Sequence, residues 1–278
     1  MTTAEPLRRT VTPVRVTSVH AGTRSERPDS LATEEPMEIR VQGPAQRAEP
    51  VAVTMRTPGA DYELAVGFLF TEGLVEPGQV TRVAYCDDLE GEEQRYNVVT
   101  VTLDRAFDHD RLRRNFYATS SCGICGKAAL DDVEMRCAPV AAGPVVTSDV
   151  LVSLPDRLRS KQRVFDRTGG LHAAGLFTPD GELLALREDV GRHNAVDKVI
   201  GEQVLGERVP LADRVLQVSG RASFEIVQKA AMAGIPIVSA VSAPSSLAVE
   251  AGERFGMTVV GFVRDRRCNV YSRPERVG

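Results

Sequence analysis

Cys122 and Cys125 are the residues of this chain best equipped for chemistry: two thiols three residues apart, each followed by glycine, in Ser121-Cys122-Gly123-Ile124-Cys125-Gly126. The reactive form of a thiol is the thiolate, and nearby cations raise its share. Arg111, Arg113, Arg114 and Lys127 are close in sequence. Glycine opens backbone angles closed to other residues and is a poor helix former, so the pair is expected on a mobile loop. Three chemistries fit a Cys-x-x-Cys: half a metal site, a dithiol redox pair, or a sulfur-handling nucleophile. Structural zinc takes four nitrogen or sulfur ligands. Here Cys86, Cys137 and Cys268 are scattered and no second pair exists, so no metal is expected. A thioredoxin-like dithiol would put the first thiol on a helix N-terminus, a join that Gly123 and Gly126 loosen; it stays open as the alternative. A persulfide carrier needs one accessible thiolate to take and hold an outer sulfur. A second thiol can then attack the inner sulfur and expel it by ordinary thiol–disulfide exchange.

A second chemistry lies just beyond the apolar strands of the C-terminal half. Ser219-Gly220-Arg221-Ala222-Ser223 comes after one, Val241-Ser242-Ala243-Pro244-Ser245-Ser246 after the next, and Arg264-Asp265-Arg266-Arg267 after the third. Ligands collect at the carboxyl ends of strands in open parallel sheets. Helix-opening N–H groups favour anions, and arginine adds bidentate donors for phosphate. A phosphate-bearing ligand is expected there if the three strands are neighbours; the bland alternative is caps and turns. Thr168 to His172 and Asp189 to Asn194 are candidates for the same edge. His193 and Asp197 lie one helical turn apart, a spacing that lets the carboxylate orient the imidazole.

These sites need a frame. Residues 1–30 are polar and read as a flexible tail, with one short strand signal at Val14-Arg15-Val16. Residues 37–43 and 51–55 alternate as strands, 61–71 carry a helical stripe ended by Gly73, and 80–85 and 96–103 pair as strands. Residues 31–120 thus form a small α+β unit. Residues 121–140 hold the cysteine loop and a linking helix, with short helices expected over 108–116 and 127–135. Residues 141–278 form the α/β domain, in which 171–177 and 183–187 read as a hairpin around Thr178-Pro179-Asp180-Gly181. Beyond a helix at 193–205, the strands at 215–218, 235–241 and 257–263 alternate with helices at 223–233 and 245–255, which implies a parallel sheet with right-handed crossovers. Within this domain, 148–165 reads as helix interrupted at Pro155.

Composition bounds the function. The chain has 278 residues, 42% hydrophobic and 26% charged, as in ordinary globular proteins. A net charge of -4 argues against a general nucleic-acid binder. The start holds Arg8 and Arg9 and lacks the apolar core of a secretory signal. No membrane span is expected, and five unframed cysteines fit a reducing, cytoplasmic setting.

Several segments together resemble the FdhD family, the formate dehydrogenase accessory sulfurtransferases. They are Ser-Cys-Gly-Ile-Cys-Gly-Lys at 121–127, Thr-Gly-Gly-Leu-His-Ala-Ala-Gly-Leu-Phe at 168–177, and Glu-Asp-Val-Gly-Arg-His-Asn-Ala-Val-Asp-Lys at 188–198. Ser-Gly-Arg-Ala-Ser-Phe-Glu at 219–225 and Gly-Phe-Val-Arg at 261–264 complete the set. The resemblance implies an α/β fold whose C-terminal domain is cytidine-deaminase-like without that enzyme's zinc site, and a homodimer. It implies a sulfur carrier: Cys122 accepts sulfur as a persulfide from a cysteine desulfurase, with Cys125 as the second thiol. The sulfur then passes to the bis-molybdopterin guanine dinucleotide molybdenum cofactor before insertion into formate dehydrogenase. The cofactor-binding stretch maps to Phe262, Val263, Arg264, Asp265, Arg266 and Arg267. A cofactor-binding chaperone without sulfur chemistry is a further alternative. The first 30 or so residues match no family motif.

Overall fold

The structure is a computed structural model and describes residues 8–86, 96–108, 139–140 and 142–278. Cys122, Cys125 and the helix expected over 127–135 lie outside the described residues, as does the helix expected over 108–116 from residue 109 onward.

The first element corrects the expectation of a tail. β1 (Val11–His20) and β2 (Thr23–Ala32) form a ten-residue antiparallel hairpin, with Val16 opposite Arg27. Its turn is Ala21-Gly22, both at positive φ, the type I′ geometry that matches strand twist. The hairpin rests on a later short helix and buries little beyond Val11, so its hydrophobic signal is weak.

A mixed four-stranded sheet comes next. β3 (Glu35–Gln42) and β4 (Glu49–Arg56) pair antiparallel; after α1 (Asp61–Thr71) come β5 (Val80–Tyr85) and β6 (Val98–Leu103). The order is β4-β3-β6-β5, with β3 and β6 parallel. Strict alternation sends Met37, Ile39, Val41, Val83, Val99 and Val101 into the core with Leu64, Ala65 and Leu69 of α1. The start of α1 is fixed from below. Asp61 receives the buried Arg56 guanidinium on both oxygens, at 3.0 and 2.7 Å, and the Tyr85 hydroxyl at 2.9 Å.

The C-terminal half opens with α2 (Ser148–Arg159), capped by the Thr147 hydroxyl, and the short α3 (Arg163–Thr168). Pro155 does not break α2, contrary to its expected effect. Leu151, Leu154 and Leu158 anchor the helix to the sheet on both sides of it, and that burial holds the turn missing one N–H. The remaining elements are β7 (His172–Phe177), β8 (Leu183–Asp189), α4 (Arg192–Leu205), β9 (Val215–Val218), α5 (Phe224–Met232), β10 (Ile237–Ala240), α6 (Ser246–Phe255), β11 (Thr258–Arg264) and β12 (Arg267–Ser272).

The second sheet runs β12-β11-β10-β9-β7-β8. β9, β10 and β11 are parallel neighbours, as their alternation with helices implies, and β7 and β8 form the expected hairpin; β7 joins β9, and β12 joins β11, antiparallel, so the sheet as a whole is mixed. One face, with Ala174, Leu216, Val238 and Val259, shares a core with α4, α5, α6 and α1; the other packs on α2. The chain is therefore an α/β structure in layers: small sheet, α1, the α4–α6 layer, large sheet, α2. Two glycines set the central contact. A Cβ on Gly67 of α1 would sit 1.9 Å from the Asp197 carbonyl oxygen, and one on Gly201 of α4 would sit 1.9 Å from that of Glu63. Backbone thus meets backbone where the two halves join.

Candidate functional site at the strand-end edge

The three strands whose ends carry hydroxyls and arginines are neighbours, as a shared phosphate site requires. Because β7 runs antiparallel to them and β8 antiparallel to β7, the start of β7 and the end of β8 reach the same edge, His172 pairing with Asp189. The edge gathers all five stretches named from sequence, and cavities open on both faces of the sheet there.

The larger, of about 770 Å³, lies under α2 and α3. Its lining includes Gly170, His172, Ser219, Val241, Arg159, Arg264 and Arg266, with Asp156 and Asp265 as the carboxylates. The volume falls in the range of small-molecule sites, about 300–1,000 Å³. The smaller, of about 410 Å³, lies where α4, α5 and α6 begin, and is lined by Arg192, Arg221, Ser223, Glu225 and Ser245. The Arg192 Nε is buried without a hydrogen-bond partner among the described residues.

The six residues mapped as cofactor-binding divide by side chain. Arg264, Asp265 and Arg266 line the larger cavity. Val263 is buried in the core between sheet and α2. Phe262 is half-buried with the Arg264 guanidinium 5.7 Å from its ring centre, and its N–H donates to the Ser242 carbonyl at 3.1 Å. Arg267 is exposed and pairs with Arg264 across the β11–β12 hairpin. Asp265 and Arg266, at φ 53° and 56°, form its two-residue turn. Neither is glycine or asparagine, so the turn carries strain of about 1–3 kcal/mol per residue.

Several motif residues hold the scaffold instead of facing a ligand. The Asp189 carboxylate is fully buried, 2.7 Å from Lys198 Nζ. It also accepts N–H bonds from Thr57 at 3.1 Å, Gly191 at 2.8 Å and the Asn194 amide at 3.0 Å. Lys198 donates to the Thr57 carbonyl at 2.8 Å. This pair ties the loop before α4 to the end of β4. The Ser245 hydroxyl caps α6, accepting from Ala248 N–H at 3.2 Å, and the Ser219 hydroxyl accepts from Ala173 N–H at 2.8 Å. The bland reading of these two serines is thus partly right, although Ser219 retains a proton to donate.

His193 does not pair with Asp197. Asp197 turns toward α1 and α5, where it accepts from the Thr71 hydroxyl at 2.8 Å and sits 3.0 Å from Lys229 Nζ. Burial pushes its carboxyl up to about 6. Burial works to lower the Lys229 ammonium, but Asp197 and Glu72 outweigh it and raise it. His193 Nε2 instead lies 3.3 Å from the Ser223 hydroxyl and 3.9 Å from Glu225. Both neighbours face the same ring nitrogen, so a serine–histidine–carboxylate relay, which uses both nitrogens, is not formed. Burial, reinforced by Arg192, lowers the pKa of His193 and of His172. That shift favours the neutral form of both imidazoles. Among the described residues no group of three or more His, Cys, Asp or Glu could hold a metal ion. No helix among them is long and apolar enough to cross a membrane.

The profile of the FdhD/NarQ family matches residues 32–278. The sulfur carrier protein FdhD of Mycolicibacterium paratuberculosis is 53% identical over 270 residues, covering 95% of this chain and 97% of that protein. The protein of the same name from Streptomyces coelicolor is 52% identical over 271 residues, with 95% and 94% covered. Among solved structures, one described as a formate dehydrogenase accessory protein from Desulfotalea psychrophila superposes with a TM-score of 0.75 at 26% identity, covering 97% of this chain and all of that one. With most of its length matched by the family profile and by relatives at half identity, the chain belongs to the FdhD/NarQ family.

Proposed function

We propose that this protein is a sulfur carrier for the maturation of formate dehydrogenase, and that it loads sulfur on Cys122 and delivers it to a guanine-dinucleotide molybdenum cofactor held at the strand-end edge. Family membership supports the carrier role. The observation that carries the delivery site is the cavity of about 770 Å³ with Arg264, Arg266, His172 and Ser219 around it. Guanidinium groups recognise phosphate oxygens bidentately. The two arginines suit a pyrophosphate, and the cavity beside them has room for a nucleoside.

In the loading step, the Cys122 thiolate attacks the outer sulfur of a persulfide on a cysteine desulfurase. The S–S bond of the donor breaks, the donor cysteine leaves as thiolate, and Cys122 becomes S–SH. For release, Cys125 attacks the inner sulfur. A Cys122–Cys125 disulfide forms and the outer sulfur departs as sulfide to the cofactor. An external dithiol then returns two electrons to the disulfide. The protein is proposed to act in the cytoplasm as a homodimer.

The test combines mass and binding. Incubation with a cysteine desulfurase and cysteine is expected to add 32 Da, about one sulfur atom, to wild-type protein and none to Cys122→Ala. Guanosine diphosphate is expected to bind both proteins equally, and Arg264→Ala more weakly. Undiminished formate dehydrogenase maturation by Cys122→Ala would leave a cofactor chaperone without sulfur chemistry. A reversible Cys122–Cys125 disulfide needed without any persulfide would leave a dithiol oxidoreductase.

A further inference from the structure

The face of the four-stranded sheet turned away from α1 carries a groove that the sulfur-carrier reading does not use. Alternation along the strands puts Glu38, Arg40 and Gln42 of β3, Thr100 and Thr102 of β6, and Arg82 of β5 on this face. The register aligns them in rows: Arg40 opposite Thr100, and Gln42 and Arg82 flanking Thr102. The loop after β3 adds Arg47 at one side, and Cys86 closes the end of β5, its sulfur 4.0 Å from Arg40 Nη1. The result is a cavity of about 630 Å³ lined, among the described residues, by three arginines and no carboxylate, in a chain whose net charge is -4.

Arg40 is pinned by Glu38 at 2.5 Å, but Arg47 and Arg82 are exposed and make no ion pair among the described residues. The Thr100 and Thr102 hydroxyls likewise have no hydrogen-bond partner there. Like charges gathered around the groove give it a positive potential that favours entry of an anion. It runs across three strands, and Arg40 and Arg82 sit two strands apart, about 10 Å at the backbone. Same-face side chains of an extended peptide repeat about every 7 Å. Acidic residues two to four positions apart therefore span the arginines.

We propose that this groove docks an extended acidic segment of a partner protein. The sheet, α1 and the α4–α6 layer separate it from the strand-end cavities, so a partner bound here leaves the cofactor edge open.

The probe is a fluorescein-labelled ten-residue peptide alternating Glu and Thr, with its Gln-for-Glu counterpart as control, read by fluorescence anisotropy on the full chain. The acidic peptide is expected to bind and the control not. Kd should rise at least tenfold in Arg47→Glu/Arg82→Glu, whose exposed positions leave the thermal midpoint unchanged, and binding should weaken steeply with salt. Peptide mapping after iodoacetamide treatment should show Cys86, and not Cys268, protected by the acidic peptide. Equal binding of the control, an unchanged Kd in the double variant, or unprotected Cys86 overturns the proposal. So does displacement of the peptide by submillimolar inorganic phosphate, which would make the groove a small-anion site.

Discussion

Replacing Lys198 by methionine keeps the length and apolar stem of the side chain and removes its charge. It leaves the Asp189 carboxylate fully buried with three N–H donors and no counter-ion. At 2.7 Å the lost attraction is roughly 6 kcal/mol at an effective dielectric of about 20. Desolvation cancels part of that in the intact pair, and breaking a buried pair from one side typically costs about 3–5 kcal/mol. Taking about 4 kcal/mol, and an unfolding entropy of about 2.1 cal/mol/K per residue, the thermal midpoint of the 278-residue chain falls by about 7 °C. Asp189→Asn should cost a similar amount, because it strands the buried ammonium. The double variant Asp189→Asn/Lys198→Met should cost less than the two single losses added, since neither charge is left uncompensated. The assay is denaturant unfolding of all four proteins, with persulfide loading measured alongside. Loading should survive wherever the protein is folded, because the pair is structural. Single-variant losses under about 1 kcal/mol, or strict additivity, would refute the assignment of this pair as the tie between β4 and the loop before α4.

Gly67→Ala or Gly201→Ala should destabilise by about 3 kcal/mol or more through overpacking, since the new Cβ meets backbone oxygen at 1.9 Å; calorimetry showing an unchanged midpoint would contradict the helix contact. Arg266→Gly should raise stability by about 1 kcal/mol by relieving a positive-φ arginine while weakening guanosine diphosphate binding, read by paired unfolding and titration. Burial, aided by Arg192, holds His172 and His193 below the ordinary imidazole value. The unfolded chain therefore binds more protons than the folded one as pH drops below about 6.5. Their contribution to stability is complete above that pH and is lost as pH falls through the folded values. Unfolding midpoints between pH 7.5 and 5 should drop less in His172→Gln/His193→Gln than in wild type, and equal slopes would rule the histidines out.

How much of the fold is legible in the sequence depends on how each segment meets its neighbours. α1 (residues 61–71), β5 (80–85) and β9 (215–218) match their sequence readings to the residue, because each puts its apolar side chains into a core: α1 is buried nearly all round and β9 on both faces of its sheet. The β1–β2 hairpin leaves no sequence signal beyond Val14-Arg15-Val16: lying on the surface of α3, it has no face that must be apolar. β12 has no strand reading in the sequence, because Arg267 belongs to the basic run at 264–267, although Cys268, Val270 and Ser272 alternate behind that arginine. Pro155 misleads because the rule for proline weighs one lost hydrogen bond, whereas three leucines on the buried side decide the helix. The i, i+4 spacing of His193 and Asp197 determines their shared helix but not their neighbours, and Thr71 and Lys229 come from elements far away in sequence.

The same distinction bears on the motif at 188–198, one of the five segments that carry the family resemblance. Asp189, Asn194, Asp197 and Lys198 all make buried or half-buried bonds to residues 54–72. Their chemistry-bearing types thus serve to lock the small sheet and α1 onto the large sheet. Of that motif, Val190 lines the larger strand-end cavity and Arg192 the smaller, and the Arg192 Nε is without a partner among the described residues. A loss of sulfur transfer on mutating the motif therefore divides by position. At Asp189 or Lys198 it should track loss of folded protein. At Arg192 it should appear with the unfolding midpoint nearly intact, because that side chain has no internal bond at Nε to lose.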